Sequence, residues 1–306
     1  MDTALFVTQM LNGLQLGVML FLLAAGLTLI FGILDFMNLA HGAFYMVGAY
    51  FFGAIVIASG SFLLALAIAI PVTALFGLFV EVLIAQRLYT KSHLDQVLAT
   101  FGLILIFDTG VHYVWGTDGM SIPTPEWANI LVPILGAELP LYRIAIIAVG
   151  LLVAAGLYVL VVKTKLGMLI RAGASDRAMV QALGVDIGKL FAIVFALGAA
   201  IAGLAGMMIA PITGASIGMG NEIIIVAFVV IIIGGVGSIK GAFVGAMIVG
   251  VIDTLGRSYL DGVLKLFMGV EGAETAAPAL SAMLIYILMA VILVVRPQGL
   301  FPPQTR

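Results

Sequence analysis

Three polar residues, Asp35, Asn38 and His41, interrupt an apolar stretch at intervals of three positions. In "GILDFMNLAHGAF" (32–44) they are the only side chains that can ionise or form hydrogen bonds. Within a membrane, an ionisable residue is costly unless it faces a cavity or a partner. The segment therefore predicts either a polar helix break that lines a solute pathway or a turn at the cytoplasmic surface, and the sequence favours neither.

A second candidate is the stretch "SDRAMVQALG" (175–184). Ser175 can cap a two-turn helix, Asp176 favours its positive end, and Gly184 can end it in a left-handed conformation. The apolar residues that would share one face are Met179, Val180 and Leu183. A short capped helix with an apolar stripe is typical of a segment that docks in a groove of a partner. The alternative is an ordinary solvated basic loop.

Enzymatic chemistry is poorly supported. The nearest imitation of a nucleotide-binding loop, "GGVGSIKGAF" (234–243), has Gly241 where a serine or threonine should follow the lysine. Three histidines without any cysteine make no convincing metal site. We therefore predict no catalytic residue, no metal and no cofactor, and transport becomes the leading class of function.

The composition indicates whether the chain folds in water or in a lipid bilayer. The chain has 306 residues, of which 63% are hydrophobic and 9% charged, and its mean hydropathy is +1.28. Such a chain has no polar face to present to water, so we predict a polytopic membrane protein embedded in a lipid bilayer. Its net charge of −2 gives no indication of a nucleic-acid partner.

The predicted fold is all-α, with about 8–10 transmembrane helices, because about 20 apolar residues cross the hydrocarbon core as a helix. Residues 3–34 exceed the length of one span, so that helix must be tilted, broken or partly interfacial. Residues 42–80 hold two spans around the turn "ASGS" (58–61). Further spans are predicted at 96–115, 141–162, 190–211, 222–236, 241–256 and 279–295.

The distribution of lysine and arginine predicts the orientation, because basic loops stay in the cytoplasm. Residues 163–189 hold five of the thirteen basic residues, and Arg87 and Lys91 mark a second basic loop. Residues 116–140 contain three acidic residues, four prolines and no basic residue. The amino terminus should then lie outside and the carboxyl terminus in the cytoplasm.

Several segments resemble the permease subunits of branched-chain amino acid ABC importers, of the LivH type. They are "GLTLIFGILDFMNLAHGAFYMVGAY" (26–50), "VLATFGLILIF" (97–107), "LGMLIRAGASDRAMVQALGVD" (166–186), "AFVVIIIGGVGSIKGAFVGAMIVG" (227–250) and "RPQGLF" (296–301). They follow the order and spacing of that family over nearly the whole chain. Lys240 departs from it, because an uncharged residue is expected there.

The resemblance implies a single transmembrane permease domain over 1–306 and a cytoplasmic ATPase-coupling loop at 163–189. The positions that match the loop pattern are Gly167, Arg171, Asp176 and Gly184. It also implies a prokaryotic inner-membrane location and three kinds of partner: a second homologous permease, two cytoplasmic ATPase subunits and a periplasmic substrate-binding protein.

The solute implied by the resemblance is a branched-chain or other neutral amino acid. A permease for urea, short amides or another small solute is the alternative within the importer class. A stand-alone channel or secondary carrier is less well supported, since it would leave the basic docking loop unexplained.

A short echo links "HGAF" (41–44) with "KGAF" (240–243). Each follows a glycine-interrupted apolar run, and each precedes a helix rich in small residues. Glycine-broken helices at corresponding positions of two halves are typical of the central pathway of a transporter. The echo therefore favours an internal pseudo-repeat with broken helices near the centre.

Overall fold

The computed structural model describes residues 3–301, apart from the side chain of Ile33. Within these residues the chain forms eleven α-helices, and the predicted all-α fold class is confirmed. The helices are α1 Thr3–Leu34, α2 His41–Ser59, α3 Phe62–Val80, α4 Gln86–Leu88, α5 His93–Trp115, α6 Leu141–Lys163, α7 Lys165–Ser175, α8 Arg177–Ala182, α9 Ile187–Thr213, α10 Met219–Gly234 and α11 Ile239–Val295. A π-helical turn, Glu81–Ala85, joins α3 to α4, and a 3-10 turn covers Glu126–Asn129.

Seven of the helices in the described range are long and apolar enough to cross a membrane, and α10 is a shorter apolar helix. Nine spans were expected from the sequence. The difference arises at α10, which has 16 residues, and at α11, which runs through 57 residues. Gly269 interrupts α11 with φ 74° and ψ 176°, so this stretch consists of two helices across a kink.

The first helix is continuous. α1 has 32 residues and therefore a length of ~48 Å, which exceeds the ~30 Å hydrocarbon core. Its continuity excludes a broken helix, one of the three arrangements expected for residues 3–34.

A small β-hairpin lies between α5 and α6 and was not expected in an all-α chain. β1 (Leu131–Ile134) pairs antiparallel with β2 (Ala137–Pro140), and Ile134 faces Ala137 across the turn. Leu135 and Gly136 form that turn with φ 49° and φ 85°. Two positive φ values are the signature of a two-residue hairpin turn, but leucine rarely supplies the first. The sequence therefore gives little warning of the hairpin.

The chain divides into two compact units. The first contains the chain up to Phe21, Glu126–Leu151 and the chain from Phe228 onward, and the second contains Leu22–Pro125 and Leu152–Ala227. In the second unit α9 packs closely on α2. A Cβ placed on Gly48 would lie 2.5 Å from the Cα of Gly203, so the two backbones touch. Small residues permit such close approach in membranes, where apolar burial provides little drive for association.

In the first unit the carboxyl-terminal segment holds the turn between α10 and α11. The N–H groups of Leu300 and Phe301 donate hydrogen bonds to the carbonyls of Ile233 and Gly234, both at 2.9 Å. The segments "GGVGSIKG" (234–241) and "RPQGLF" (296–301) are therefore joined in space. In the same turn Ser238 caps α11 by accepting a hydrogen bond from the N–H of Gly241 at 3.0 Å.

Candidate functional site

The connection between α1 and α2 is a non-helical segment, residues 35–40. Its first residue, Asp35, has a left-handed backbone with φ 50°. Two N–H groups that leave the helical pattern find side-chain acceptors on α5: Met37 donates to Gln96 Oε1 at 3.0 Å, and Leu39 donates to Thr100 Oγ1 at 3.2 Å. Protein atoms therefore satisfy these two N–H groups, as irregular backbone inside a membrane requires.

The break lies well within the length of its neighbouring helices. Thr100 is the eighth residue of α5, so Leu39 is held ~10 Å along the axis of that helix. His41 packs against Gly26 of α1, eight residues before the end of that helix. A Cβ placed on Gly26 would lie 2.8 Å from His41 Nε2. The start of α2 therefore lies alongside α1 and α5 and not beyond their ends.

The structure separates the three polar residues of this segment. Asn38 and His41 are buried, at 1% and 0% exposure. The amide nitrogen of Asn38 and both ring nitrogens of His41 make no hydrogen bond of acceptable geometry within the described chain, although the Leu23 carbonyl faces the ring. Asp35 is exposed, with His93 Nε2 4.0 Å from its carboxylate. Asn38 and His41 are thus buried and Asp35 is exposed at the edge of the break, and a role for any of them in a solute pathway stays a prediction.

Two helices begin next to each other at this break. A Cβ on Gly42, the second residue of α2, would collide with the carbonyl of Gly220, the second residue of α10. The reverse collision occurs for a Cβ on Gly220. The amino-terminal ends of α2 and α10 therefore meet, and each brings the positive end of its helix dipole to this position.

A polar contact lies beside this junction. Asn221 Nδ2, in the first turn of α10, donates a hydrogen bond to Asp108 Oδ2 of α5 at 2.7 Å. The two residues are 113 positions apart, and sequence reasoning does not connect them. A carboxylate on an apolar helix makes Asp108 conspicuous in the sequence, but nothing in the sequence names its partner.

The loop 163–189 folds as two short helices between α6 and α9, with a side-chain cap at the start of each segment. Thr164 accepts from the N–H of Gly167 at 3.0 Å, Asp176 from that of Met179 at 2.9 Å, and Asp186 from that of Lys189 at 3.1 Å. The Lys189 backbone N–H, together with its ammonium group, holds the pKa of Asp186 below its ordinary value.

The predicted cap of the docking helix is corrected by one residue. Ser175 ends α7, and Asp176 caps α8 with an extended backbone of φ −151° and ψ 100°. An N-cap residue needs this extended conformation, and a helical residue such as Ser175 cannot supply it. The predicted end is confirmed, because Gly184 has φ 85°.

The apolar stripe of α8 is divided between two faces. Met179 and Leu183 are 59% and 75% exposed, whereas Val180 is only 6% exposed. Residues four apart share a helix face, and a residue one position on is rotated by ~100°. Val180 therefore faces the chain itself, and the exposed apolar pair consists of Met179 and Leu183.

Gly167 and Arg171 fix α7 against the end of α6. Gly167 is buried, and a Cβ there would collide with the carbonyls of Leu160 and Val161. The Arg171 guanidinium donates a hydrogen bond to the carbonyl of Val161. These two residues therefore position α7 against the end of α6.

Comparison with known proteins identifies the family. A profile described as "Branched-chain amino acid transport system / permease component" matches residues 9–293. The chain belongs to this family. The branched-chain amino acid transport permease BraD of Pseudomonas aeruginosa is 30% identical over 264 residues, covering 82% of this chain and 86% of BraD. LivH of Escherichia coli K12 is 28% identical over 279 residues, covering 85% of this chain and 89% of LivH.

An archaeal relative extends the comparison. The probable branched-chain amino acid transport permease LivH of Methanocaldococcus jannaschii is 29% identical over 252 residues, or 79% of this chain and 78% of that protein. No solved structure matches the chain significantly. As a member of the permease family, the chain is a multi-pass membrane subunit of a transport system and not an enzyme.

Proposed function

We propose that this permease is the membrane-spanning subunit of an ABC importer that carries branched-chain amino acids across the inner membrane. The match to the permease family over residues 9–293 carries this proposal, and the relatives BraD and LivH are named for high-affinity transport of those solutes. A periplasmic binding protein would deliver the amino acid, and two ATPase subunits would supply the energy. A second homologous permease would complete the membrane-spanning part.

The proposed ATPase contact is α8. Its exposed pair, Met179 and Leu183, presents apolar surface on a capped helix within a basic loop. Such a face gains stability when it enters an apolar groove on a partner. On this proposal the loop 163–189 lies in the cytoplasm, with the amino terminus outside and the carboxyl terminus inside, in accord with the distribution of basic residues.

The proposed solute pathway passes the break at residues 35–40 and the start of α2 at His41. Two observations support it: Asn38 and His41 are buried with polar atoms that lack good hydrogen bonds, and the positive ends of α2 and α10 meet beside them. In transporters, the amino-terminal ends of broken helices point toward anionic groups of the solute. Asp35, at the edge of the break, would act at the mouth of this pathway.

The test is uptake by the assembled complex in proteoliposomes. The permease is purified with its ATPase and binding-protein partners. Uptake of radiolabelled leucine is then measured with ATP on the side of the vesicle membrane that the ATPase subunits face. We expect competition by unlabelled isoleucine and valine, and none by urea or acetamide. Competition by the amides alone would favour a different solute class, and ATP-independent uptake would contradict the importer.

A further inference from the structure

An aromatic residue, Tyr89, lies between the break and α9, the helix that follows the loop containing α8. Tyr89, just after α4, packs edge-on against Phe36 of the break, with ring centroids 5.4 Å apart and planes at 85°. Tyr89 also packs against Phe191 of α9, at 5.4 Å and 89°. Edge-to-face pairs at this distance are favourable and have a defined geometry. Tyr89 is therefore in contact with the break and with α9 at once.

The contact continues from Phe191 to α8. The Arg177 guanidinium, in the first turn of α8, lies 5.3 Å from the centre of the Phe191 ring. This is the distance of a cation–π interaction. A continuous series of contacts thus runs from Arg177 through Phe191 and Tyr89 to Phe36, entirely within the second unit.

A buried carboxyl group holds Tyr89 in place. The Tyr89 hydroxyl donates to Glu81 Oε1 at 3.0 Å, and Gln86 Nε2 donates to Glu81 Oε2 at 3.0 Å. Glu81 is 0% exposed and opens the π-helical turn between α3 and α4. π-Helical turns are rare in proteins, and those that occur are often found at functional sites. Burial raises the pKa of Tyr89, so its hydroxyl keeps the proton that it donates.

We propose that Tyr89 is a positioning residue that transmits movement of α8 to the break at residues 35–40. The proposal rests on the proposed function, in which α8 contacts the ATPase. Rings in close contact cannot be compressed, so a displacement of Arg177 and Phe191 must shift Tyr89 and, with it, Phe36. Residues 35–40 can respond because few backbone hydrogen bonds hold them: those of Met37 and Leu39 go to side chains of α5.

The experiment replaces the ring while keeping the complex assembled. Tyr89→Leu removes both ring contacts, Tyr89→Phe keeps them and removes only the hydroxyl, and Tyr158→Leu is the matched control at an exposed tyrosine of α6. Each complex is reconstituted, and ATP hydrolysis is measured with and without leucine-loaded binding protein. Retention of the ATPase subunit is checked by pull-down.

We expect Tyr89→Leu to retain the ATPase but to lower the stimulation of hydrolysis roughly 2- to 30-fold, the range over which single residues change coupling. Tyr158→Leu should keep the stimulation, and Tyr89→Phe should lose less of it than Tyr89→Leu, because its ring contacts remain although the bond to Glu81 is lost. Unchanged stimulation in Tyr89→Leu, or an equal loss in Tyr89→Phe, would overturn the proposal. A wild-type complex without any stimulation would instead contradict the proposed function.

A double-mutant cycle separates transmission from a purely structural role. If Arg177 and Tyr89 act in one series of contacts, Arg177→Gln and Tyr89→Leu combined should reduce stimulation no further than the stronger single change. If Tyr89→Leu fails to fold, Phe191→Leu takes its place in the cycle. Additive losses from these pairs would show independent effects and would contradict transmission through Tyr89.

Discussion

The backbone N–H of Leu39 donates a hydrogen bond to the Thr100 hydroxyl oxygen at 3.2 Å, across 61 positions of the chain. Thr100 is itself fully buried and donates to the carbonyl of Gln96 at 2.8 Å. One side chain of α5 thus holds the chain just before the irregular segment ends and α2 begins. The location of the break depends on this contact because few other bonds hold residues 35–40.

Thr100→Val should destabilise the permease. The valine has nearly the same shape but leaves the part-buried N–H of Leu39 without its acceptor, and the penalty for a fully buried group would be about 1–3 kcal/mol. Thr109→Val, at an exposed position of the same helix, is the matched control. The midpoint of thermal unfolding in detergent should fall for Thr100→Val and stay constant for Thr109→Val. Equal midpoints would show that the Leu39 bond does not hold the break.

Gly26→Ala should displace the buried histidine. An added methyl group would lie 2.8 Å from His41 Nε2 and 2.7 Å from the carbonyl of Gly198, and overpacking of this kind costs about 1–3 kcal/mol. Gly102→Ala is the control, because a Cβ at Gly102 meets no atom within 4 Å. We expect lower thermal stability and reduced leucine uptake for Gly26→Ala alone. Normal uptake by this variant would separate the position of His41 from transport.

The sequence predicts the ends of helices best where one local signal decides. The turn at 58–61 follows from Gly60, which has φ 66°, and from Ser61, which accepts a hydrogen bond from the N–H of Leu64. At 175–176 two adjacent residues can both cap a helix. The structure decides between them: α7 extends through Ser175, so Asp176 caps α8. Local residues suffice in the first case and not in the second.

The candidate site was predictable in part for the same reason. The polar spacing of Asp35, Asn38 and His41 indicates a break or a turn, but the contacts that decide its depth come from Gln96 and Thr100, about sixty positions away. The orientation of Val180 likewise depends on tertiary packing. Periodicity groups Val180 with Met179, whereas packing turns it inward.

Met179→Asp should release the ATPase subunit without unfolding the permease. The substitution places a charge on the exposed apolar face of α8, and transfer of an unpaired charge into an apolar groove is strongly unfavourable. Gln181→Asp adds the same charge on the same helix, away from Met179 and Leu183, and serves as the control. In pull-downs the ATPase should be lost from Met179→Asp only. Full retention would contradict docking through this face.

Cysteines in place of two exposed serines, Ser121 and Ser175, test the proposed orientation. The chain contains no native cysteine, so single cysteines at these positions can be labelled without interference. Ser121 precedes the hairpin in the segment without basic residues, and Ser175 lies in the basic loop. An impermeant maleimide should label Ser121→Cys in intact cells and Ser175→Cys only after permeabilisation. Labelling of both from one side would contradict the orientation.

Substitutions of Asp35 distinguish a charge at the mouth of the pathway from a simple turn. Its backbone has φ 50°, a conformation that glycine and asparagine tolerate but that strains a β-branched residue. Asp35→Asn and Asp35→Gly therefore keep the turn and remove the charge, whereas Asp35→Val changes both.

If the carboxylate serves translocation, all three variants should lose leucine uptake while the first two retain thermal stability and the ATPase subunit. If Asp35 only forms the turn, Asp35→Asn and Asp35→Gly should transport normally and Asp35→Val alone should be impaired. Normal uptake by Asp35→Asn would therefore remove Asp35 from the pathway and leave Asn38 and His41 as its polar groups.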